Sequence, residues 1–290
     1  MSKYVGWCCD FQKYTGEGQL AQKFIKSLYK NKKVKIESPR FKFYMSDYLY
    51  QLYGIVVLWY YFLRGSKVIF INYLPLWNFL IFLLSPPKTI FGPITGSIQI
   101  NKVINLKSLI RFYLVPIFYK ISLIILNIRQ KKLIFATNIL QKKLNKNIKK
   151  KSEFNFVLKD LKLSKKISNI KKYDFIIYYR KHENKFFTHH TRFIKEQIKL
   201  GKKVLIVGNK MNLDGVTNIG KIKRGKLIQL IRLSRNSISG DDNLYSFFNL
   251  ECIQNGVKVI YNYKLSFQKE QKYKKYLIPY NFKSQKFMKI

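Results

Sequence analysis

Asp174-Phe-Ile-Ile-Tyr-Tyr179 opens the stretch of sequence that decides the fold, residues 173–261. Short apolar runs in this stretch alternate with longer segments of helical periodicity, and Gly201 and Gly256 each follow the end of a helical segment. The pattern predicts strands over 173–179, 203–207, 217–219, 237–239 and 257–261, and helices over 187–200, 226–232 and 244–254. Strands that alternate with helices form a parallel, doubly wound sheet, and such sheets bind ligands at the carboxyl ends of their strands.

The N-terminal half predicts the same α/β class. A strand over 4–8 precedes a glycine-containing turn over 14–18 and an amphipathic helix over 19–29. Further strands are predicted over 34–37, 67–72, 89–91 and 133–136, and further helices over 48–63 and 106–128. The lysine-rich segment 141–172 is predicted to be a linker or a solvated helix. The predicted organisation is an N-terminal lobe over 1–150, a second lobe over 165–265, and a basic, aromatic tail over 266–290, with a return to the first lobe as one option.

The composition is strongly basic, with a formal net charge of +42 at pH 7. This charge suits a nucleic-acid or anionic-membrane partner, or reflects a general bias toward lysine, which supplies 47 of the 56 basic residues. Arginine, rather than lysine, is expected at planar phosphate and base recognition sites, so the lysine excess is not a specific signal. Cys8, Cys9 and Cys252 cannot form a disulfide framework, which indicates a reducing compartment.

Three apolar segments bear on membrane association, residues 48–63, 68–87 and 112–128. The first is short, the second contains prolines and asparagines, and the third is interrupted by Lys120, whereas a spanning helix needs about 20 apolar residues. We expect buried or interfacial helices and strands here rather than spans. Because aromatic and lysine side chains suit the headgroup region, we predict an anionic membrane surface as a partner and a cytoplasmic, peripheral location on the inner membrane face.

Three motifs in the C-terminal half carry chemistry. Arg180-Lys181 follows the first strand with Lys185 close behind, Gly220-Lys-Ile222 precedes a helix, and Ser239-Gly-Asp-Asp-Asn243 is followed by Glu251-Cys-Ile-Gln-Asn-Gly256. In this order the motifs resemble the donor lobe of GT-B glycosyltransferases, and within them the group 1 (retaining, family-4-like) enzymes. The resemblance covers about the last 120 residues and, more loosely, the first 140. It implies two Rossmann-like, doubly wound lobes that face a cleft.

The resemblance also implies roles for individual residues. Arg180 and Lys185 would hold the diphosphate of a nucleotide-sugar donor, and Glu251 would bind its ribose hydroxyls. The family has two glutamates eight positions apart, but Asn243 stands here where the first would be. A neutral amide can hydrogen-bond a sugar hydroxyl but cannot stabilise positive charge at the anomeric carbon. Asp241 or Asp242 could supply that charge, so Asp242 and Asn243 are candidate catalytic residues, and the donor and stereochemistry stay open.

In the N-terminal lobe, Gly16-Glu-Gly18 lies where the family's glycine-rich turn approaches the donor phosphates. Gly16 and Gly18 are therefore candidate donor-binding residues. This lobe contains no histidine, which excludes an imidazole base from it, and Glu17 is a candidate general base. Phe91-Gly-Pro-Ile-Thr-Gly96 lies where an acceptor-side loop would line the cleft. The Asp-Asp pair is not a D-x-D motif and the histidines lack zinc-site spacing, so we expect no metal and no cofactor beyond the donor substrate.

The predicted function is that of a hexosyltransferase-like enzyme. It would move a sugar from a nucleotide-diphosphate donor to a glycan or lipid-linked acceptor in cell-surface polysaccharide synthesis. One alternative is a basic nucleic-acid-binding protein, but no RNP motif, zinc-finger spacing or helix-turn-helix pattern is found, so no nucleic-acid partner is predicted. A second alternative, motivated by Asn243, is a non-catalytic GT-B partner subunit.

Overall fold

The computed structural model describes residues 3–29, 33–39, 47–71, 74–95, 106–164, 170–180, 188–240 and 243–288. The chain forms two compact units, Met1–Lys159 and Asp160–Ile290. Both contain parallel sheets and helices, so the predicted α/β class is confirmed. The boundary between the units falls between residues 150 and 165, the predicted limits of the two lobes.

The first unit is built on a parallel sheet. Its elements are, in chain order, β1 (Tyr4–Cys8), α1 (Gly16–Leu28), β2 (Lys35–Glu37), α2 (Asp47–Leu63), β3 (Lys67–Ile71), α3 (Phe79–Leu84), β4 (Ile90–Phe91), α4 (Leu106–Arg129), β5 (Leu133–Ile134), α5 (Lys146–Lys150) and β6 (Ser152–Glu153). The strand order is β2-β1-β3-β4, with every pair parallel. Because β1 lies between two neighbours, all five of its residues are buried, which is why it reads as a continuous apolar run.

The sheet of the first unit continues beyond β4. Ile94 N donates to Ile134 O at 2.7 Å, and Ala136 N donates to Ile94 O at 2.9 Å, so β5 follows β4, and β6 pairs in parallel with β5. The prediction that segment 141–172 is a linker or a solvated helix is partly wrong. Its buried side chains Leu144 and Ile148 belong to the core of this unit, because the lysines between them occupy only the outward side.

Two predictions about the N-terminal half need correction. Helix α1 begins at Gly16 rather than at residue 19, because Thr15 is its N-cap and accepts a hydrogen bond from Gly18 N at 3.1 Å. Gly16 and Gly18 therefore lie in the first helical turn and not in a loop. The prediction for segment 68–87 is incomplete, because its strand is present as β3 but the short helix α3, for which no bounds were predicted, lies there too.

The apolar helices of the first unit remain largely exposed. Within the described residues, one helix is long and apolar enough to cross a membrane by length and composition, over Phe112–Arg129 in α4. Only 17% of that segment is buried. Helix α2 lies against β1 and β3, and α3 lies between α2 and α4. The inward sides of these helices are buried, and an interfacial position of their outward sides stays a prediction.

The second unit is a doubly wound sheet. Its elements are, in chain order, β7 (Tyr173–Tyr179), α6 (Thr188–Lys199), β8 (Val204–Gly208), β9 (Val216–Gly220), α7 (Arg224–Arg232), β10 (Ser234–Ile238), α8 (Phe247–Gln254), β11 (Lys258–Asn262), β12 (Leu277–Asn281) and β13 (Lys286–Phe287). The strand order is β13-β12-β11-β10-β7-β8-β9, and β13 is the only antiparallel strand among these described elements.

The last residues of the chain belong to the second unit. Residues 277–281 add β12 beside β11, with Val259 opposite Leu277 and Tyr261 opposite Pro279. The prediction of a separate tail over 266–290 is therefore wrong. Lysines flank this strand on both sides and conceal it in the sequence, although Leu277 and Tyr280 are buried and Tyr280 belongs to the core of the sheet.

Candidate functional site

The strand order of the second unit reverses between β7 and β10. The chain leaves β7 toward β8 on one side and later returns to β10 on the other. Helices α6 and α8 therefore follow neighbouring strands that wind in opposite directions, and doubly wound sheets have their ligand-binding crevice at such a point, beyond the carboxyl ends of the two strands, here β7 and β10. Arg180 directly follows β7, and Ser239 and Gly240 directly follow β10. This point in the sheet is the candidate functional site.

Arg180 differs from the other arginines that the structure describes. Six of the seven described arginine side chains are engaged: Arg64 lies over the ring of Tyr60, Arg129 binds backbone carbonyls, Arg192 pairs with Glu196, Arg224 with Glu251 and Arg235 with Asp174, and Arg232 binds Asn255. Arg180 is exposed, and within the described part of the chain it has no ion-pair, hydrogen-bond or ring partner. A guanidinium left unpaired at this crevice is available to an anionic ligand.

The loop that follows β10 is held by buried amide side chains. Asn249 Nδ2 donates to Ser239 Oγ and to Leu244 O, both at 2.8 Å. Gln268 Oε1 accepts from Leu244 N at 3.1 Å. These contacts hold Ser239 and Leu244 against α8 and the segment after β11, so both residues are positioned by bonds that do not involve a ligand.

Asn243, a candidate catalytic residue, belongs to the same loop. Its Oδ1 accepts from Tyr245 N at 2.9 Å, a local turn that leads into the N-cap of α8. Ser246 is that N-cap, and its side chain accepts from Asn249 N. The amide oxygen of Asn243 therefore has a structural partner, while its catalytic role stays a prediction.

Glu251 lies on the inward side of α8 and is 8% exposed. Arg224 Nε donates to Glu251 Oε1 at 2.7 Å, which joins the first turn of α7 to the middle of α8. Burial raises the pKa of the Glu251 carboxyl above its ordinary value, and the hydrogen bond and charge of Arg224 oppose that shift. The carboxylate that the resemblance assigns to ribose binding is thus already engaged by an arginine.

The crevice is also shaped by its backbone. Gly208 ends β8 with a φ of +104°, and a Cβ at this position would lie 2.3 Å from the carbonyl oxygen of Tyr179. Only glycine fits there, and the close approach brings the end of β8 directly against the end of β7. On the other side, the rings of Tyr178 and Phe248 stack at 5.7 Å between centroids, which packs α8 against β7.

In the first unit, Glu17 lies in the first turn of α1. Its Oε2 is buried and has no hydrogen-bond partner among the described residues. Burial and the nearby charge of Asp10 raise the pKa of this carboxyl, although a helix N-terminus would favour the ionised form. A raised pKa makes the Glu17 carboxylate a stronger base, which favours the acceptance of a proton in general-base catalysis.

Gly18 is explained by internal packing. A Cβ on Gly18 would lie 2.1 Å from Gln12 O and 2.7 Å from Thr15 Oγ1, so the helix presses directly onto the preceding loop. That side of Gly18 is filled by protein and does not face open space. Gly16 begins the helix at the same turn, and phosphate binding by either glycine stays a prediction.

The predicted site residues divide between the two units. Gly16, Glu17 and Gly18 lie in the first, and Arg180, Asn243 and Glu251 in the second. The predictions for Lys185 and Asp242 concern positions outside the described residues.

Sequence reasoning missed two residues of the second unit, Arg224 and Asn249. The rarity of arginine in a lysine-rich chain was a usable signal for Arg224, whereas an asparagine in a helix gives none. Within the described residues, no group of three or more His, Cys, Asp or Glu side chains could hold a metal ion.

Comparison with known proteins gives structural likeness without sequence likeness. No protein-family profile and no curated protein sequence matches the chain. Among solved structures, the chain is similar to Anabaena Alr3699/HepE in complex with UDP, with a TM-score of 0.51 at 10% identity over 90% of this chain and 80% of that one.

Two further solved structures are similar at lower scores. Phytolacca americana UGT2, complexed with UDP-2fluoro-glucose and pterostilbene, gives a TM-score of 0.46 at 10% identity over 89% of this chain and 73% of that one. A chain of the GtfA/B complex gives 0.46 at 12% identity, with 71% of this chain covering 44% of that one, so the protein spans less than half of that relative.

Of the three, the HepE likeness alone has a TM-score above 0.5, and at 10% identity it shows the fold. That fold is GT-B, and the predicted GT-B architecture is confirmed.

Proposed function

We propose that this chain is a nucleotide-sugar-dependent glycosyltransferase. It would transfer a hexose-like sugar from a nucleotide-diphosphate donor to a glycan or lipid-linked acceptor in cell-surface polysaccharide synthesis. The GT-B fold supports the class of reaction, and the similar HepE structure was determined in complex with UDP.

The observation that carries the proposal is the unpaired Arg180 at the strand-order reversal of the second unit. Its guanidinium stands beyond the carboxyl end of β7, where a doubly wound sheet binds its ligand. Helices α7 and α8 begin on this same edge of the sheet, so their N-terminal amide groups add positive potential. An arginine on the same sheet edge as two helix N-termini is an arrangement suited to a diphosphate.

The proposed chemistry needs charge at two places. As the bond between the anomeric carbon and the diphosphate oxygen breaks, its electron pair goes to the leaving group, and Arg180 stabilises the charge that develops there. The acceptor hydroxyl forms the new bond to the anomeric carbon and gives its proton to a base. Glu17 is the proposed base, since its raised pKa allows it to keep the proton that it receives.

The proposal assigns the stabilisation of the leaving group to cationic side chains and amide groups, without a bound metal or a further cofactor. A donor-binding measurement with and without chelator and added Mg²⁺ tests this assignment. Binding and turnover that rise only when Mg²⁺ is supplied would contradict it.

UDP binding to the purified full chain, measured by calorimetry, tests the role of Arg180. Because a hydrogen bond to a charged group contributes about 1.5–3 kcal/mol, we expect Arg180→Ala to weaken UDP binding by about tenfold to a hundredfold. Arg235→Ala is the matched control, since Arg235 is also exposed but lies at the amino end of β10. Equal losses in both variants, or no binding of any nucleotide at millimolar concentration, would refute the proposal.

One observation favours a second candidate, a non-catalytic GT-B subunit. Both residues at the positions of the family's paired glutamates are engaged within the protein, Asn243 by Tyr245 N and Glu251 by Arg224. Donor hydrolysis or transfer, assayed over several nucleotide sugars, separates the two candidates. Turnover that disappears in Arg180→Ala supports the enzyme, and UDP binding without turnover in the wild type supports the subunit.

A further inference from the structure

Exposed apolar side chains are concentrated on one part of the first unit. Within the described residues, 17 of the 26 exposed large apolar side chains belong to α2, α3 and α4, which together contain 47 of the 290 residues. Val56 is 65% exposed, Ile117 52% and Ile124 61%. We call this set of outward side chains the apolar helix surface.

The three helices form one continuous layer. Trp59 Nε1 in α2 donates to Leu84 O at the end of α3, at 2.8 Å. The rings of Phe79 in α3 and Phe118 in α4 lie 5.1 Å apart. The outward side chains of the three helices are therefore neighbours on a single surface, and an exposed apolar surface of this extent indicates a binding partner.

Helix α4 shows that the partner lies outside the described structure. Its buried residues Tyr119, Ser122 and Leu126 follow one narrow stripe, which faces the first unit. The opposite side of the helix carries the exposed Ile117 and Ile124, with Lys120 between them. Apolar side chains therefore extend beyond the side that the rest of the first unit covers, and a partner could cover them.

A basic edge adjoins the apolar helix surface. Arg129, at the end of α4, donates from Nη2 to Ser85 O at 2.6 Å and to Pro86 O at 2.7 Å, which holds the C-terminal ends of α3 and α4 together. Trp59 brings the end of α2 to the same place. The exposed cations Arg64, Lys88 and Lys131 lie just beyond these three helix ends.

The charge of this region has one sign. Residues 48–152 contain 16 lysines and arginines and no aspartate or glutamate. A second copy of the chain, with a net charge of +42, would bring like charges together at this surface. A bilayer that contains anionic lipids offers both an apolar interior and negative headgroups, so it complements the surface in both respects.

We propose that the apolar helix surface docks on an anionic bilayer and lies in the plane of the interface. The outward aliphatic side chains enter the acyl boundary, and the basic edge contacts the headgroups. Trp59 and Tyr60 lie in the same layer and suit the headgroup level. The proposal does not depend on the proposed reaction, because docking requires neither donor nor acceptor.

Flotation of the full chain with lipid vesicles tests the docking. One vesicle contains phosphatidylcholine alone, and the other also contains phosphatidylglycerol. We expect the chain to float with the anionic vesicle and much less with the neutral one, and we expect added salt to weaken the binding. The double variant Val56→Asp with Ile124→Asp should bind the anionic vesicle at least about tenfold more weakly, because it places two charges in the acyl boundary.

Leu200→Asp is the matched control, since Leu200 is 69% exposed and lies in the second unit. Circular dichroism of each variant confirms that it is folded. Equal binding of the wild type and the double variant, or an equal loss in Leu200→Asp, would overturn the proposal. So would a stable dimer in lipid-free solution that the double variant dissociates, or resistance of vesicle-bound chain to alkaline carbonate, which would indicate a span.

Discussion

The ion pair between Arg224 and Glu251 offers the sharpest test of how the second unit is held together. We consider Arg224→Gln, Glu251→Gln and the double variant. The two charged groups meet at 2.7 Å, with the Glu251 side chain 10% exposed and that of Arg224 45% exposed. Arg224→Gln leaves a buried carboxylate without its cation, whereas the double variant leaves two neutral amides that can bond to each other.

The expected loss of stability follows from the different burial of the two charged side chains. Two unit charges about 4 Å apart attract by about 4 kcal/mol at an effective dielectric constant near 20. Desolvation of Glu251 and solvent screening at Arg224 remove a large part of this gain, which leaves a coupling energy of about 1–2 kcal/mol. We expect Arg224→Gln alone to lower the free energy of unfolding by about 2–3 kcal/mol, because the stranded carboxylate adds its desolvation penalty.

The pH dependence gives the second half of the test. Arg224 stabilises the ionised form of Glu251. The difference in unfolding free energy between wild type and Arg224→Gln should therefore reach its full value at pH values at which Glu251 is ionised in both proteins. It should shrink as the pH falls through the raised pKa of Glu251, since the protonated side chain no longer needs the cation.

Urea unfolding of the four proteins, at neutral pH and near pH 4, measures both effects. A coupling energy near zero, or a difference that grows at low pH, would refute the account of Glu251 as a buried, paired carboxylate. Loss of UDP binding in Glu251→Gln without loss of stability would instead assign the residue to the donor.

Three further predictions concern packing, protonation and the loop after β10. Gly18→Ala should destabilise the chain by about 2 kcal/mol or more, because the new Cβ would lie 2.1 Å from Gln12 O. A Cβ at Gly225 would have nothing within 4 Å, so Gly225→Ala should be neutral or stabilising by up to about 1 kcal/mol. Thermal unfolding compares the two variants, and equal effects would contradict the packing argument. Glu17→Gln should unfold at higher urea concentration than wild type above pH 7 but not near pH 4. The reason is that a carboxyl whose pKa is raised in the folded state contributes stability when it is protonated, and this contribution is lost as the pH rises. A stability difference that is independent of pH would contradict this prediction. Asn249→Ala should lower the free energy of unfolding by about 2–3 kcal/mol, since it leaves Ser239 Oγ and Leu244 O without their buried donor. It should also increase amide hydrogen exchange over residues 243–246. Unchanged exchange there would show that these residues are held by other contacts.

Strands β7, β8 and β11 were predictable because their central residues are buried on both faces of the sheet. Strand β7 appears in the structure with the bounds that its apolar run predicts, and β8 and β11 differ by one residue at each end. A strand inside a parallel sheet has no polar face, so its sequence alone marks it. Strand β12 was missed because it lies near the sheet edge, where Pro279 interrupts a short apolar run that lysines flank.

The candidate site was predictable only where a residue directly follows a strand. Arg180 was found because its strand was found, and topology then places it at the order reversal. Glu251 was chosen correctly as a buried carboxylate, but its partner Arg224 lies 27 positions earlier, at the start of a different helix. No local pattern connects the two residues, because their contact depends on the packing of α7 against α8.

Arginine carries information in this chain because lysine is the common cation. Where a single point charge suffices, lysine serves, so the few arginines should mark positions that need a planar group with several donors. Arg129 binds Phe82 O, Leu83 O, Ser85 O and Pro86 O and so satisfies the carbonyl groups at the end of α3. One ammonium group cannot reach all of these acceptors with good geometry.

We therefore expect Arg129→Lys to lower the free energy of unfolding by about 1–3 kcal/mol, because at least two charge-assisted hydrogen bonds are lost. Arg192→Lys is the control, since the guanidinium of Arg192 is exposed and makes a single contact with Glu196 at 3.2 Å, one helical turn away. That substitution should change stability by less than about 0.5 kcal/mol. Urea unfolding measures both variants. If Arg192→Lys lowers the free energy of unfolding as much as Arg129→Lys does, the arginines reflect codon or composition bias rather than geometry. The presence of an arginine at position 180 would then no longer support its assignment as a diphosphate ligand.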